Sequence, residues 1–100
     1  MDRPPKLNTH DVDARLASHP GWTRSGDAIT KTLAFKSFPD AIAFVTRLAF
    51  DAQAADHHPD LLVSYRKVTV TWSTHDSGGV TEKDFAGASQ TDAIAKTFGL

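Results

Sequence analysis

Three histidines supply the side chains in this sequence that are best suited to proton-transfer chemistry. His57 and His58 are adjacent and are followed by Pro59, and His75 lies further along the chain. An imidazole, with an ordinary pKa of about 6.5, can give or take a proton near neutral pH. The three side chains therefore suit an acid–base site in which one imidazole protonates a leaving group while another accepts a proton.

A metal site is the second interpretation of the same residues, because histidine and carboxylate are common metal ligands. Three carboxylates accompany the histidines: Asp56, Asp76 and Asp84. Adjacent residues point in different directions on a helix and to opposite faces on a strand, so His57 and His58 cannot easily bind one ion together. A metal site would take one of the pair with His75 and a carboxylate. We favour the metal-free interpretation, which expects no metal and no cofactor, but the residue types alone leave both open.

The composition excludes several other classes of function. The 100-residue chain contains no cysteine, so it has no disulfide, no thiolate zinc site and no thiol nucleophile. Eleven basic and twelve acidic residues give a net charge of -1 without a Lys/Arg cluster, which disfavours direct nucleic-acid binding. This length, with 40% hydrophobic residues, predicts a single domain over residues 1–100 whose site is a surface groove or lies near a subunit contact.

The N-terminus does not resemble a signal peptide. Asp2 and two prolines stand where a signal peptide needs a continuous apolar run. No apolar run elsewhere approaches the length of a membrane span. We therefore expect a cytoplasmic protein that makes no membrane contact.

The first predicted helix begins after Asn8 or Thr9, since either residue can accept hydrogen bonds from free backbone amides, and it ends at Pro20. His10 and His19 lie on or beside this helix among polar neighbours. We expect both to be solvated surface residues and set them apart from the candidate site.

The second predicted helix brings the histidine pair to its end. Ser37 with Asp40 resembles a capping box, and apolar residues then recur at helical spacing. The helix is expected to end near Asp56, because Pro59 disfavours helical geometry at His58. The side chains of the pair can then reach out of the packed layer.

Period-2 alternation in two segments predicts two β-hairpins. The residues expected to face inward are Ile29, Leu33, Phe35, Leu61, Val63, Tyr65, Val68, Val70 and Trp72. Lys31 interrupts the first apolar face. His75 is expected to continue the polar face of the last strand, up to a Gly-Gly turn, and Thr81 with Asp84 predicts a capping box that opens a third helix.

These elements together predict an α+β fold of order α-β-β-α-β-β-α. Strands joined by hairpins are antiparallel within each pair, and three amphipathic helices need a surface to cover. We therefore expect a four-stranded antiparallel sheet with three helices on one face. Sites are commonly built where a strand ends beside a loop, which favours His75 as the partner of the histidine pair.

A set of spaced residues resembles the signature of the pterin-4a-carbinolamine dehydratase family. The residues that carry this resemblance are Asp56, His57, His58, Pro59, Tyr65, His75 and Asp84. Residues 20–22, 44–49 and 73–84 are also similar to the family, so the resemblance covers nearly the whole chain. It implies an enzyme that dehydrates 4a-hydroxytetrahydropterin to the quinonoid dihydropterin and so supports the recycling of tetrahydrobiopterin.

The resemblance also implies a role for each matched residue. His58 and His75 would share the proton transfers, with His57 as an alternative acid. Substrate contacts are implied at His57, His58, Pro59, Thr74, His75, Asp76 and Ser77. Asp84 would support the site or cap the last helix. Gln53 departs from the family pattern, which usually has an ionisable residue at this position, and an amide offers a hydrogen bond without a charge.

Protein binding without catalysis is the second class of function that the resemblance implies. Animal members of the family act as dimerisation cofactors for a homeodomain transcription factor. Family members also form dimers or dimers of dimers, and a four-stranded sheet with two open edges has a physical reason to pair. We therefore expect a homodimer or homotetramer whose small-molecule partner is a pterin.

Overall fold

Three helices cover one face of a four-stranded antiparallel sheet in the computed structural model, which describes residues 3–100. The helices are α1 (Thr9–Leu16), α2 (Phe38–Ala55) and α3 (Glu82–Thr97). The strands are β1 (Thr23–Ser25), β2 (Ala28–Ala34), β3 (Asp60–Ser64) and β4 (Lys67–Trp72). The strand order is β1-β2-β4-β3, so β2 and β4 are central and β1 and β3 are the edges. The predicted fold class and element order are confirmed.

The inner face of the sheet is apolar, as the period-2 pattern predicts. Ile29 on β2 lies opposite Trp72 on β4, and Leu33 lies opposite Val68. All four side chains are buried against the helices. Because side chains alternate along a strand, the threonines between these positions point to the other face of the sheet.

Lys31 lies on this inner face, and its charge is satisfied there. Its ammonium group donates to Asp92 Oδ1 on α3 at 2.8 Å and to the Pro20 carbonyl at 3.2 Å. The indole of Trp22 donates to the other oxygen of Asp92 at 3.0 Å. A half-buried charge with such partners costs far less than an unpaired one, which explains how a lysine interrupts the apolar face.

The end of α2 turns the histidine pair away from the helix. Asp56 adopts a left-handed conformation at the C-cap with φ 53°, and the His57 amide donates to the Ala52 carbonyl at 3.1 Å. The predicted helix end is therefore confirmed. At the other end of α2, the Ser37 hydroxyl accepts from the Asp40 amide at 3.2 Å, which is one half of the predicted capping box.

The prediction that His75 continues the last strand is wrong. β4 ends at Trp72, and Thr74 then pairs with Gly79 in an isolated bridge. Between the members of that bridge the chain forms a short 3-10 turn, His75–Ser77. The bridge closes the chain into a tight loop, so the side chain of His75 projects from a turn and not from a pleated strand.

Two further side chains differ from their predicted surroundings. Tyr65 lies in the turn between β3 and β4 with φ 53° and is exposed, because the left-handed turn takes it out of the strand alternation. His19 is half-buried, with its ring centroid 5.2 Å from that of Phe85, so its expected solvated position is also wrong. His10 is exposed as expected. No helix within residues 3–100 combines the length and apolarity needed to cross a membrane.

Candidate active site

A cleft of about 470 Å³ opens where the end of α2, the loop after β4 and the start of α3 meet. Its volume falls within the range of small-molecule sites, about 300–1,000 Å³. The walls include His57 and His58 from the chain after α2, together with His75 and Asp76 from the 3-10 turn. The fold therefore brings the three predicted histidines to one cleft.

His57 is fixed at one edge of its ring by a buried carboxylate. Its Nε2 lies 2.6 Å from Oδ1 of Asp84, which is fully buried. The other carboxylate oxygen accepts from the Thr81 amide at 2.9 Å and from the Thr74 hydroxyl at 2.8 Å. With the Asp84 carboxylate as acceptor, Nε2 of His57 carries the hydrogen and Nδ1 is the nitrogen left for a ligand.

One face of the same ring is covered by an indole. The rings of His57 and Trp72 are stacked with centroids 5.3 Å apart and planes 27° apart. Trp72 is itself held against α3: its Nε1 donates to Thr91 Oγ1 at 3.1 Å, and a Cβ on Gly87 would approach its ring atoms to 2.6 Å. The orientation of His57 is therefore set by close packing as well as by Asp84.

His58 has a different environment, because it is exposed and contacts an amide. Its Nε2 lies 2.9 Å from Oε1 of Gln53, a residue in the last turn of α2. With the amide oxygen as acceptor, Nε2 of His58 donates and Nδ1 is left for a ligand. Position 53 thus contacts the candidate site directly.

The remaining predicted substrate contacts fall into two groups. His75 and Asp76 are exposed at the cleft, and the His75 ring makes no hydrogen bond within residues 3–100. The hydroxyls of Thr74 and Ser77 are instead bonded to the protein, that of Thr74 to Asp84 and that of Ser77 to the Pro4 carbonyl. Pro59 and Ser77 lie outside the cleft wall.

Comparison with known proteins gives this cleft its context. The family model described as pterin 4 alpha carbinolamine dehydratase matches residues 5–94. The chain belongs to this family. Curated relatives named "Putative pterin-4-alpha-carbinolamine dehydratase" include one from Roseiflexus castenholzii, 53% identical over 88 residues that span 88% of this chain and 95% of the relative. Another, from Rhodospirillum rubrum, is 47% identical and covers 89% of this chain and 95% of the relative.

Solved structures in the pterin dehydratase family have the same fold. A protein from Brucella melitensis, described as a transcriptional coactivator/pterin dehydratase, superposes with a TM-score of 0.86 at 36% identity, over 90% of this chain and 98% of that one. A pterin dehydratase-like protein, described as a RuBisCO assembly factor in the alpha-carboxysome, has a TM-score of 0.61 at 25% identity, over 74% and 86%. General dehydratase function is thus typical of the family, and some members are described in other roles.

Part of the cleft wall in this pterin dehydratase family member was not predicted from the sequence. Arg3 and Pro4, which precede the matched residues, line the cleft. The Arg3 guanidinium donates to the Asp76 carbonyl, and the Leu7 amide donates to the Val80 carbonyl at 2.8 Å, so the segment is fastened along the histidine-bearing loop. Periodic patterns within short segments cannot predict that the N-terminal segment lies beside the histidine-bearing loop.

The second interpretation of the histidines, a metal site, requires several ligands around one point. Within residues 3–100, no three His, Asp or Glu side chains are arranged to hold a metal ion. Asp84, the carboxylate that contacts His57, has both oxygens engaged by protein donors.

An ion pair supports the helix turn that carries Asp84. The Arg15 guanidinium donates to Glu82 Oε2 at 2.6 Å. This hydrogen bond lowers the pKa of Glu82 and raises that of Arg15. The guanidinium also lies over the ring of Phe85, 4.6 Å from its centroid. The pair therefore ties α1 to the first turn of α3 beside the cleft.

Proposed function

We propose that this protein dehydrates 4a-hydroxytetrahydropterin to the quinonoid dihydropterin through acid–base catalysis by His57, His58 and His75. The observation that supports this proposal is the meeting of the three imidazoles at one cleft in a member of the pterin dehydratase family. Tetrahydrobiopterin recycling is the pathway that such a reaction would support.

The chemistry needs only proton transfers. The bond between C4a and the hydroxyl oxygen breaks, and the leaving oxygen takes a proton to form water. A ring N–H loses its proton, and the electron pair left on nitrogen forms the new C=N bond, so the atoms balance with no change of redox state. A positioned acid or base typically contributes about 10²–10⁴ in rate, which suits a site built from imidazoles.

The environments of the histidines support a division of these roles. His58 and His75 are exposed at the cleft, and neither contacts a carboxylate within residues 3–100, so both can exchange protons with water. We assign them the two transfers. His57 is held by Asp84 at Nε2, so a protonated His57 would donate to the substrate from Nδ1. His57 is therefore the alternative acid.

Substrate contacts follow from the cleft wall. We propose that the pterin contacts His57, His58, Thr74, His75 and Asp76, which all line it. Pro59 and Ser77, which the family resemblance also implies, would shape the two loops that carry these residues. Gln53 would support His58, and Asp84 would support His57.

A stopped-flow record of 4a-hydroxytetrahydropterin breakdown, with and without the protein, tests the function. We expect saturable acceleration that increases with protein concentration. A rate equal to that of buffer alone would overturn the proposal.

A non-catalytic role in protein binding is the second candidate. It is favoured by the solved relative described as a RuBisCO assembly factor and by exposed large apolar side chains, of which Phe50, Leu62 and Tyr65 are the most exposed. Such residues on a surface mark contacts with other proteins when they are contiguous. Absence of pterin turnover in the stopped-flow experiment would support this role.

We further propose that the protein acts in the cytoplasm as a homodimer or homotetramer. The edge strand β3 presents unpaired backbone groups, and Leu62 on it is exposed. Light scattering is the test, since the chain has a mass of 10.8 kDa. Two or four times that mass is expected, and the mass of one chain would contradict self-association.

A further inference from the structure

A chain of buried hydrogen bonds leads from Thr81 through Thr74 to Asp84. Thr74 Oγ1 lies 2.8 Å from Thr81 Oγ1 and 2.8 Å from Asp84 Oδ2. All three side chains are buried, and those of Thr81 and Asp84 are completely inaccessible to solvent. The network therefore lies behind the cleft, where solvent water cannot replace either hydroxyl as a hydrogen-bond partner.

The hydrogen bonds of this network can have only one order of donors and acceptors. A carboxylate has no hydrogen to give, so the Thr74 hydroxyl donates to Asp84. Its oxygen is then the acceptor for the hydroxyl of Thr81, which itself accepts from the Lys83 amide at 3.2 Å. Each donor polarises the next, which strengthens the bonds along the chain toward the carboxylate.

Thr74 has no polar group left for a substrate. Its amide donates to the Gly79 carbonyl at 3.0 Å, and its carbonyl accepts from Gly79 at 3.3 Å and from Ser77 at 3.0 Å. Its hydroxyl is engaged by Thr81 and Asp84. The polar groups of Thr74 are therefore bonded within the protein, and its hydroxyl acts on Asp84.

We propose that Thr74 and Thr81 are positioning residues that fix the Asp84 carboxylate as the acceptor for His57 and thereby hold His57 in its Nε2–H tautomer. The hydrogen bonds to Oδ2 fix the carboxylate so that its Oδ1 faces Nε2 of His57. Without the hydroxyl donor the carboxylate could turn, and Nε2 would lose its acceptor. The ring hydrogen would then move to Nδ1, and the nitrogen left for the ligand would change from acceptor to donor.

The effect of the two threonines on catalysis rests on the proposed dehydration, whereas their effect on the His57 tautomer does not. Neutral His57 presents an acceptor at Nδ1 only while Asp84 accepts at Nε2. Protonated His57 can donate its proton from Nδ1, and the loss of that proton returns the ring to the Nε2–H tautomer. The two threonines would therefore affect kcat through His57 without touching the pterin through a polar group.

The test is nitrogen-15 NMR of the His57 ring in the full chain, at a pH where the ring is neutral. The variants are Thr74→Val and Thr81→Val, which keep the side-chain shape, and Thr74→Ser, which restores the hydroxyl. Thr32→Val is the matched control, because Thr32 pairs with Thr69 at 2.9 Å on the outer face of the sheet, away from the cleft. Dehydration kinetics are recorded on the same samples.

We expect the Nε2–H tautomer in the wild type, in Thr74→Ser and in Thr32→Val, and a measurable Nδ1–H population in Thr74→Val. We expect kcat to fall about 10-fold or more in Thr74→Val, the range for one hydrogen bond to a charged group. A smaller fall of about 3-fold is expected in Thr81→Val, which acts one bond further away. KM should stay within about 2-fold, because the lost bonds stabilise Asp84 and not the substrate.

Two results would overturn the inference. One is an Nδ1–H tautomer in the wild-type protein, a measurement that needs no variant to fold. The other is an unchanged His57 tautomer in a folded Thr74→Val protein, or in Thr74→Ala if the valine variant does not fold. If the wild type fails to accelerate dehydration, the proposed function falls, while the NMR result still decides whether the threonines position His57.

Discussion

Nε2 of His57 lies 2.6 Å from Oδ1 of Asp84, and this contact joins the chain after α2 to the first turn of α3. The two residues are 27 positions apart. Asp84 also accepts from the Thr81 amide and so completes the capping box of α3. One carboxylate thus caps a helix and orients a histidine, so the two roles that the sequence left as alternatives are compatible.

Replacing Asp84 with asparagine should reduce kcat/KM for dehydration by about 10²-fold or more, because the wrong histidine tautomer is costly in a hydrogen-bonded His–Asp pair. In Asp84→Asn, the Thr74 hydroxyl and the Thr81 amide would keep the side-chain oxygen as their acceptor. Its NH2 group would then face Nε2 of His57 and force the opposite tautomer. Stopped-flow kinetics measure the loss.

Glu82→Gln is the control for this variant, since it removes a carboxylate from the same helix turn outside the cleft wall. Its kcat/KM should equal that of the wild type. Circular dichroism checks that both variants are folded. Activity of Asp84→Asn within 2-fold of the wild type would show that the Asp84 carboxylate does not orient His57 for the reaction.

Introducing a carboxylate at position 53 should change the pH dependence of the enzyme. In Gln53→Glu the carboxylate would lie beside Nε2 of His58, now 2.9 Å from the amide oxygen, and an opposite charge at this distance raises a histidine pKa. The imidazolium would then persist to higher pH, so the limb of the kcat/KM profile that reports His58 should move to higher pH.

The direction of the activity change reveals the role of His58. If His58 is the acid, activity extends to higher pH, and if it is the base, activity declines sooner as the pH falls. Asn8→Asp adds the same charge at the N-cap of α1 and should leave the profile unchanged. A profile of Gln53→Glu that matches the wild type would show that position 53 does not influence the histidine.

Local sequence signals predicted the elements that carry this site. The helix end before Pro59 and the capping box of Thr81 with Asp84 depend on residues only a few positions apart, so the sequence contained their cause. The alternation that buries Ile29 and Trp72 is local in the same way. Fold class and the grouping of the site-bearing loops followed from these signals together with the resemblance.

The turn that carries His75 and the contacts between distant segments were not predicted. His75 lies in a turn because Thr74 and Gly79 pair across it, and that pairing interrupts the strand pattern. The N-terminal wall of the cleft depends on hydrogen bonds between residues more than seventy positions apart, such as that from Ser77 to Pro4. The hydrogen bond between the buried hydroxyls of Thr74 and Thr81 likewise has no signature in residue spacing.

Adding one methyl group at Gly87 should destabilise the protein. The new Cβ of Gly87→Ala would lie 2.6 Å from ring atoms of Trp72, so the indole or the helix must move. Overpacking of this kind typically costs about 1–3 kcal/mol, which exceeds the gain of about 1 kcal/mol from replacing a helical glycine. Urea denaturation should show a lower free energy of unfolding.

The displacement should also affect catalysis, because Trp72 is stacked on His57. Ser89→Ala is the matched control: it is an exposed position on the same helix and should leave stability within about 0.5 kcal/mol of the wild type. A Gly87→Ala protein more stable than the wild type would contradict the tight packing of the indole against α3.

The ion pair between Arg15 and Glu82 should make a small, pH-dependent contribution to stability. The folded-state pKa of Glu82 is lowered by the hydrogen bond from Arg15, so the contribution is fully present above the ordinary pKa of a glutamate, about 4.5. It is lost as the pH falls through the lowered folded-state value. Because both side chains are largely exposed, we expect Glu82→Gln to cost about 0.5 kcal/mol at pH 7.

Thermal or urea unfolding at several pH values checks this prediction. The difference between wild type and Glu82→Gln should shrink as the pH is lowered below the ordinary glutamate pKa. High salt at pH 7 should reduce it as well, through screening of the exposed pair. A difference that is constant from pH 7 to pH 2 would mean that the charge of Glu82 contributes nothing.

The most direct test of the account is the dehydration rate of a His58→Gln, His75→Gln double variant. Stopped-flow traces of 4a-hydroxytetrahydropterin breakdown would be compared for the wild type, this variant and His10→Gln, which changes an exposed histidine outside the cleft. We predict that the wild type and His10→Gln accelerate the reaction equally and that the double variant loses about 10²-fold or more. A folded double variant that matches the wild type would contradict the assignment of the proton transfers to these histidines.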